Sequence, residues 1–274
     1  MKKSTLLVRS LSAAVLIPLA LGAIYVGGNL LFTLMALMLG LASFEFVRLM
    51  EREGNHPSLL LTWGFVSVGL FVARDPSGTW LRPALAGLLG GALVWQVFQS
   101  PRYQGEQVQR PAPTADWALT VTGGLYVGWM GGHVIALREG PDGFQWLLLP
   151  LLITWAADSG AYFVGSTWGR RKLAPYLSPG KTWEGTVGGW LTGIVAGGLV
   201  AGLLGLGVVH GLVLGVFIGV ASPLGDLGIS MIKRQVGVKD TSDLIPGHGG
   251  MLDRIDSILF TIVIGYYYVQ WIVL

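Results

Sequence analysis

The sequence predicts an all-α polytopic membrane protein with about nine transmembrane helices and a cytoplasmic amino terminus. Three observations predict it. The 274-residue chain is 52% hydrophobic and only 12% charged, with a mean hydropathy of +0.62. Apolar runs near the roughly 20 residues that cross a bilayer as a helix recur along it. The basic residues between those runs collect in alternate connections. A backbone in hydrocarbon must bond to itself, so the runs are read as helices, and the period-2 pattern of a transmembrane barrel is not seen.

The runs are 11–27, 30–47, 58–73, 80–98, 116–136, 144–163, 187–208, 210–229 and 257–274. Threading them with the amino terminus inside places 15 of the 18 Lys and Arg residues on the cytoplasmic side, leaving Arg74, Arg82 and Arg138 outside. Such a bias supports both span number and orientation, because one span more or fewer would scramble it. The net charge of +3 therefore reports topology, and no nucleic-acid partner is expected. The basic-then-apolar start resembles a secretory leader, but with eight more spans following it is read as a first span that serves as its own signal.

The chain has no cysteine, which excludes disulfides, thiolate nucleophiles and thiolate zinc sites. The histidines, His56, His133, His210 and His248, are scattered and form no H-x-x-x-H pair. Residues 1–143, holding the first five spans, read as scaffold. Their inner loops are 48–57 and the Pro- and Gln-rich 99–115. Residues 144–274, holding the last four spans, read as the catalytic region. Gly124, Gly128 and Gly132 lie four apart, as do Gly189, Gly193 and Gly197. Small residues at this spacing let helices approach closely, either within the chain or across a homodimer seam.

Ionisable residues inside spans are costly and so are functional candidates. Asp158 sits near the inner end of the sixth span and Asp226 near that of the eighth, while Asp253 and Asp256 begin the ninth. The topology brings all four to one depth at the cytoplasmic interface. Asp253 and Asp256 share a helix face at i, i+3, as Asp226, Ser230 and Lys233 do at i, i+4, i+7. Carboxylates without Cys or His partners are hard oxygen ligands that suit Mg²⁺, with Mn²⁺ as a substitute. The plainer reading of Asp253 and Asp256 is a charged helix start, and that of Asp158 is a structural ion pair.

The stretch "KRQVGVKDTSDLIPGHGGMLDRID", residues 233–256, holds eight charged residues in a chain otherwise poor in them. Lys181 in "LSPGKTWEG" adds another cation. Acids alone suggest cation passage. Acids with Lys, Arg and a glycine-rich loop suggest a metal-bound phosphate. Gly247, Gly249 and Gly250 make "PGHGG" a loop that backbone amides can open toward a phosphate, and His248 reads either as a phosphate contact or as a plain loop residue. "PGKT" is not a P-loop, because the glycine that pattern needs at position 175 is Pro175.

The run of Ser230, Lys233–Arg234, Lys239–Asp240, Pro246 to Gly250, and Asp253, Arg254 and Asp256 resembles the signature of the phosphatidate cytidylyltransferase family. "DSGAYFVG" and "LSPGKTWEG" upstream are also similar to family sequence, so the likeness covers about residues 154–257. Ser242 stands where that family often has glycine. The resemblance implies an active site at the cytoplasmic interface that makes CDP-diacylglycerol and pyrophosphate from phosphatidic acid and CTP. It implies Mg²⁺, and leaves open a second, monovalent cation. On this resemblance Asp226, Asp253 and Asp256 hold metal, joined by Asp158. Lys233, Arg234, Lys239 and Arg254 bind phosphates. Lys181 and Thr182 take a substrate phosphate, with Glu184 orienting them or completing the metal shell. Asp240, His248, Gly249 and Gly250 belong to the nucleotide pocket. The catalytic set is Asp226, Asp253, Asp256, Lys233 and Arg254, in a multi-pass protein of a bacterial inner membrane. The rival reading is a cation- or proton-coupled transporter, which needs acids at mid-membrane with access from both sides. A CDP-alcohol phosphotransferase would show D-G-x-x-A-R followed by spaced aspartates, and no such run occurs.

Overall fold

The computed structural model describes residues 3–75, 77–99 and 113–274. Most of the expected 99–115 loop, with Arg102 and Arg110, lies outside the described residues. The helices are α1 (Lys3–Val26), α2 (Gly28–Arg52), α3 (Leu59–Val72), α4 (Leu81–Gln99), α5 (Pro113–Gly123), α6 (Met130–Glu139), α7 (Gly143–Trp168), α8 (Trp183–Leu203), α9 (Val208–Gln235) and α10 (Leu252–Tyr268). A π-helical turn, Gly124–Trp129, joins α5 to α6, and a second, Val269–Val273, extends α10.

Each of the nine apolar runs is mostly helical, and residues 204–207 of the seventh form the turn between α8 and α9. Among the described residues, six helices are long and apolar enough to cross a membrane: α2, α4, α7, α8, α9 and α10 with its extension. The chain is therefore an integral membrane protein. The stretches Ala14–Val26 and Leu59–Val72 are apolar but shorter. The run at 116–136 is carried by α5, the π turn and α6 together.

Glycine sets how closely the helices approach. A Cβ built at Gly189 would lie 2.6 Å from the Ala157 carbonyl oxygen on α7, and one at Gly215 would lie 2.5 Å from Ile194 Cα on α8. Gly197 and Gly211 meet backbone to backbone where α8 crosses α9. In the other stripe, a Cβ at Gly128 would lie 2.6 Å from Val66 Cα, and one at Gly132 would lie 2.7 Å from the Gly69 carbonyl oxygen on α3. Both stripes thus take part in close packing inside the chain, as small residues permit in lipid. α10 packs on α9, α7, α6 and α2, and so links the two halves. The core runs through Leu39, Phe46, Leu49, Ile135, Leu147, Ile153, Leu214 and Ile229.

One feature departs from an all-helical reading. β1 (Lys172–Ala174) and β2 (Ser178–Thr182) form an antiparallel hairpin with Lys172 opposite Thr182 and Ala174 opposite Ser178. The hairpin leads directly into α8. The Thr182 hydroxyl accepts the Gly185 amide at 3.1 Å, an N-cap that ends the strand and starts the helix.

Candidate active site

α7, α8, α9, the start of α10 and the hairpin enclose a cavity of about 540 Å³. Its polar lining includes Asp158, Lys181, Thr182, Asp226, Asp253, Arg254 and Asp256. Tyr162 and Trp190 supply apolar wall, and Gly165, Gly185, Gly189 and Gly219 supply wall with no side chain. The four aspartates, distant in sequence, therefore do meet.

They meet in different environments. Asp226 pairs with the Lys181 ammonium and accepts the Ser230 hydroxyl at 3.3 Å. Lys181 also reaches the Pro223 carbonyl at 3.4 Å. Asp158 accepts the Ser222 hydroxyl at 2.8 Å. Asp256 accepts the amide of its neighbour Ser257 at 2.6 Å. α9 and α10 touch at this level, since a Cβ on Gly225 would lie 2.6 Å from the Asp256 carbonyl oxygen. Asp253 is saturated. Its Oδ1 takes the Lys233 ammonium at 2.6 Å. Its Oδ2 takes the Thr241 amide at 2.8 Å and the Gly250 amide at 3.2 Å, and lies 2.9 Å from the Thr241 hydroxyl, whose single proton it shares with Glu45.

Among the described residues, no three histidines or carboxylates converge into a ready-made metal cage. Asp253 is occupied by Lys233 and the loop, and Ser222 holds Asp158. Asp226 and Asp256 fit a divalent ion better. Asp256 accepts the Ser257 amide on Oδ1, and the cation on Asp226 is a flexible lysine. Mg²⁺ commonly takes one or two carboxylates and completes its shell with water and substrate phosphates, so two acids suffice.

The remaining expected site residues lie around the cavity and do not line it. Lys233 is buried behind Asp253. Arg234 braces the hairpin, donating to the Leu177 carbonyl at 3.1 Å and to the Val238 carbonyl at 2.9 Å. Glu184 accepts the Arg170 and Arg171 amides at 3.0 and 3.2 Å, fixing the approach to the hairpin. Lys239 and Asp240 are exposed. His248 Nδ1 lies 2.8 Å from the Ser12 hydroxyl of α1. The glycines around it make a tight turn: Gly247 and Gly249 have φ of +76° and +82°, and the Ile245 amide donates to the Gly249 carbonyl at 2.8 Å. Gly250 allows a close approach instead, because a Cβ there would run into Thr241 Oγ1 and the Glu45 carboxylate.

Sequence reasoning missed Glu45, Ser222 and Tyr126. Glu45 lies inside the apolar run 30–47, which was signal enough for a closer look. Tyr126, on the π turn, has a buried hydroxyl with no hydrogen-bond partner among the described residues. Its ring packs on Phe260, one turn beyond Asp256, at 6.2 Å between centroids.

A second cavity, about 570 Å³, lies at the opposite end of α10 between Arg74, His133, Glu139, Tyr266 and Tyr267. Its arginine is already paired with Glu139 at 2.8 Å, and its Asp75 carboxyl is held below the usual value by the Ser77 hydroxyl. Among the described residues it is lined by two acids, Asp75 and Glu139, where the first cavity has four aspartates.

The cavity thus sets carboxylates beside Lys and Arg under a partly apolar wall, inside a helical membrane protein. The model of the Cytidylyltransferase family matches residues 7–272. The phosphatidate cytidylyltransferase of Pseudomonas aeruginosa is 36% identical over 266 residues, covering 91% of this chain and 92% of that protein. That of Brucella suis is 35% identical over 263 residues, covering 93% and 90%, and that of a Synechocystis strain is 32% identical over 295 residues, covering 95% of each. The chain belongs to the cytidylyltransferase family.

Proposed function

We propose that the chain transfers a cytidylyl group from CTP to phosphatidic acid, giving CDP-diacylglycerol and pyrophosphate in phospholipid biosynthesis. The observation that carries this reading, beside family membership, is the single cavity in which Lys181 and Arg254 face Asp226 and Asp256.

The chemistry asks for little proton transfer. A lipid phosphate oxygen, already anionic, attacks the α-phosphorus of CTP. The bond to the bridging oxygen breaks and pyrophosphate leaves. The barrier lies in bringing two anions together in line, which fixed cations offset. Asp226 and Asp256 would hold Mg²⁺, or Mn²⁺ in its place. Bound there, it would supply screening of the phosphate charge. Lys181, carried between strand and helix, moves from Asp226 to a phosphate. Arg254 offers a second, exposed cation from the rim. Asp253 and Lys233 keep the first turn of α10 in place. Tyr162 and Trp190 give the lipid glycerol and upper acyl chains an apolar surface.

A nine-span topology with a cytoplasmic amino terminus would put this cavity at the inner face of a bacterial inner membrane, where a lipid head meets a cytosolic nucleotide. The basic-residue asymmetry supports that orientation.

The test is product formation by purified protein in mixed micelles of phosphatidic acid with radiolabelled CTP, with Mg²⁺ or with EDTA. Label entering the lipid phase only with Mg²⁺ is expected. Folded protein that moves no label, across several acyl chains and both divalent ions, overturns the reading.

A further inference from the structure

Glu45 is an acid in the middle of a helix bundle. It sits on α2, is 3% exposed, and does not line the cavity. Its carboxylate is nonetheless fully used. Oε1 accepts the Ser242 hydroxyl at 2.6 Å and the Met251 amide at 2.9 Å. Oε2 accepts the Thr241 hydroxyl at 2.9 Å and the Leu252 amide at 2.8 Å. All of these donors lie 196–207 residues away in sequence.

These donors are of two kinds. The Met251 and Leu252 amides belong to the first turn of α10, where helix N–H groups have no partner inside the helix. A carboxylate at that end also meets the positive pole of the helix dipole. Thr241 and Ser242 belong to the loop that folds over the start of α10. Glu45 thus ties together both ends of the segment 241–252. The link continues to the cavity. Thr241 Oγ1 lies 2.9 Å from Asp253 Oδ2 as well as from Glu45, and Asp253 holds Lys233 at 2.6 Å. Asp256 is one turn further along the same helix. Where α10 begins, and how it is rotated, decides where Asp253, Arg254 and Asp256 stand.

We infer that Glu45 is a positioning residue for nucleotidyl transfer: it fixes the start of α10 and the 241–251 loop so that Asp256 and Arg254 face Asp226 and Lys181. It touches no substrate. The inference rests on the function proposed above and adds a residue from the other half of the chain.

Glu45→Gln tests it at constant size. A carboxamide has one acceptor oxygen and two N–H donors, so one α10 amide loses its partner and meets a donor instead. Full-length wild type, Glu45→Gln and Thr241→Val are assayed with labelled CTP and phosphatidic acid over a range of Mg²⁺. Loss of such supporting contacts costs about 10- to 100-fold in activity or metal affinity in other sites. The same is expected here for Glu45→Gln: kcat lowered by that factor, a higher Mg²⁺ concentration at half-maximal rate, and KM for phosphatidic acid unchanged. Hydrogen exchange at amides 241–252 rises. Thr241→Val, which cuts the bridge to Asp253 and keeps the amide bond, shifts the same constants by less.

Glu45→Gln with wild-type kcat and Mg²⁺ dependence overturns the inference. So does a lower thermal midpoint with unaltered constants in the folded fraction, which marks a purely structural role. Should Glu45→Gln not fold, Thr241→Val decides by the same criteria. Wild-type protein that moves no label defeats the function itself. In that case unchanged exchange at 241–252 in Glu45→Gln still separately defeats the positioning role.

Discussion

The Lys233 ammonium lies 2.6 Å from Asp253 Oδ1, and their side chains are 10% and 4% exposed. This pair is a strut under the first turn of α10. Removing one member of a buried pair leaves an uncompensated charge and costs roughly 3–5 kcal/mol. Lys233→Met should therefore lower the thermal midpoint in detergent markedly. A midpoint equal to wild type would show that the pair carries no stability.

Asp226 and Asp256 answer differently. If they hold the divalent ion, each Asn variant gives up several kcal/mol of charge stabilisation, a loss of at least about 100-fold in turnover at 1.4 kcal/mol per tenfold. Their thermal midpoints should stay near wild type, because neither acid has a buried lysine behind it. Full turnover at saturating Mg²⁺ in either variant would remove that residue from the metal site.

Gly250 has its own test. Its missing Cβ is the space in which Thr241 and the Glu45 carboxylate meet. Gly250→Ala should overpack that point and destabilise by about 1–3 kcal/mol, with activity falling as well. Gly228 on α9 has nothing within 4 Å of a built Cβ. Gly228→Ala should be tolerated, since Ala gains up to about 1 kcal/mol of helix propensity over Gly. Thermal midpoints of the two variants, measured together, check both statements.

The Tyr126 hydroxyl is buried without a partner among the described residues. A buried unsatisfied hydroxyl costs about 1–3 kcal/mol. Tyr126→Phe should raise the thermal midpoint. If turnover drops at the same time, the phenol is kept for the reaction at the expense of stability, as strained or unsatisfied groups at working sites often are. A lowered midpoint would mean that it has a bonding partner after all.

Much of this was legible in the chain. The apolar runs are mostly helical, because a backbone in hydrocarbon must bond to itself. The aspartates and Lys181 came to one cavity, because alternating topology brings matching ends of α7, α9 and α10 together. The hairpin at 172–182 was not legible: strands of three and five residues containing Pro179 and Gly180 give no periodic signal. Neither was the division of labour among the acids. The i, i+3 spacing of Asp253 and Asp256 says that they share a face. Only the fold reveals that one is saturated by Lys233 and the loop while the other keeps oxygen free. "PGHGG" is ambiguous for a similar reason, since glycine serves a phosphate and a tight turn equally well. The Glu45 contacts span nearly the whole chain, and no local pattern announces them.

The cavity wall formed by Gly165, Gly185, Gly189 and Gly219 is bare main chain. A wall of this kind cannot be trimmed. A Cβ built at Gly185, Gly189 or Gly219 lies within 2.8 Å of the Ala161 carbonyl, the Ala157 carbonyl or the Trp190 ring, so substitution there forces α7, α8 and α9 apart instead of reshaping the chamber locally. Variation in which lipids are accepted is then confined to the rim, where Tyr162 and Trp190 still have side chains to shorten or enlarge. A selection for bulkier substrates would leave its marks at those two aromatics and leave the glycines untouched.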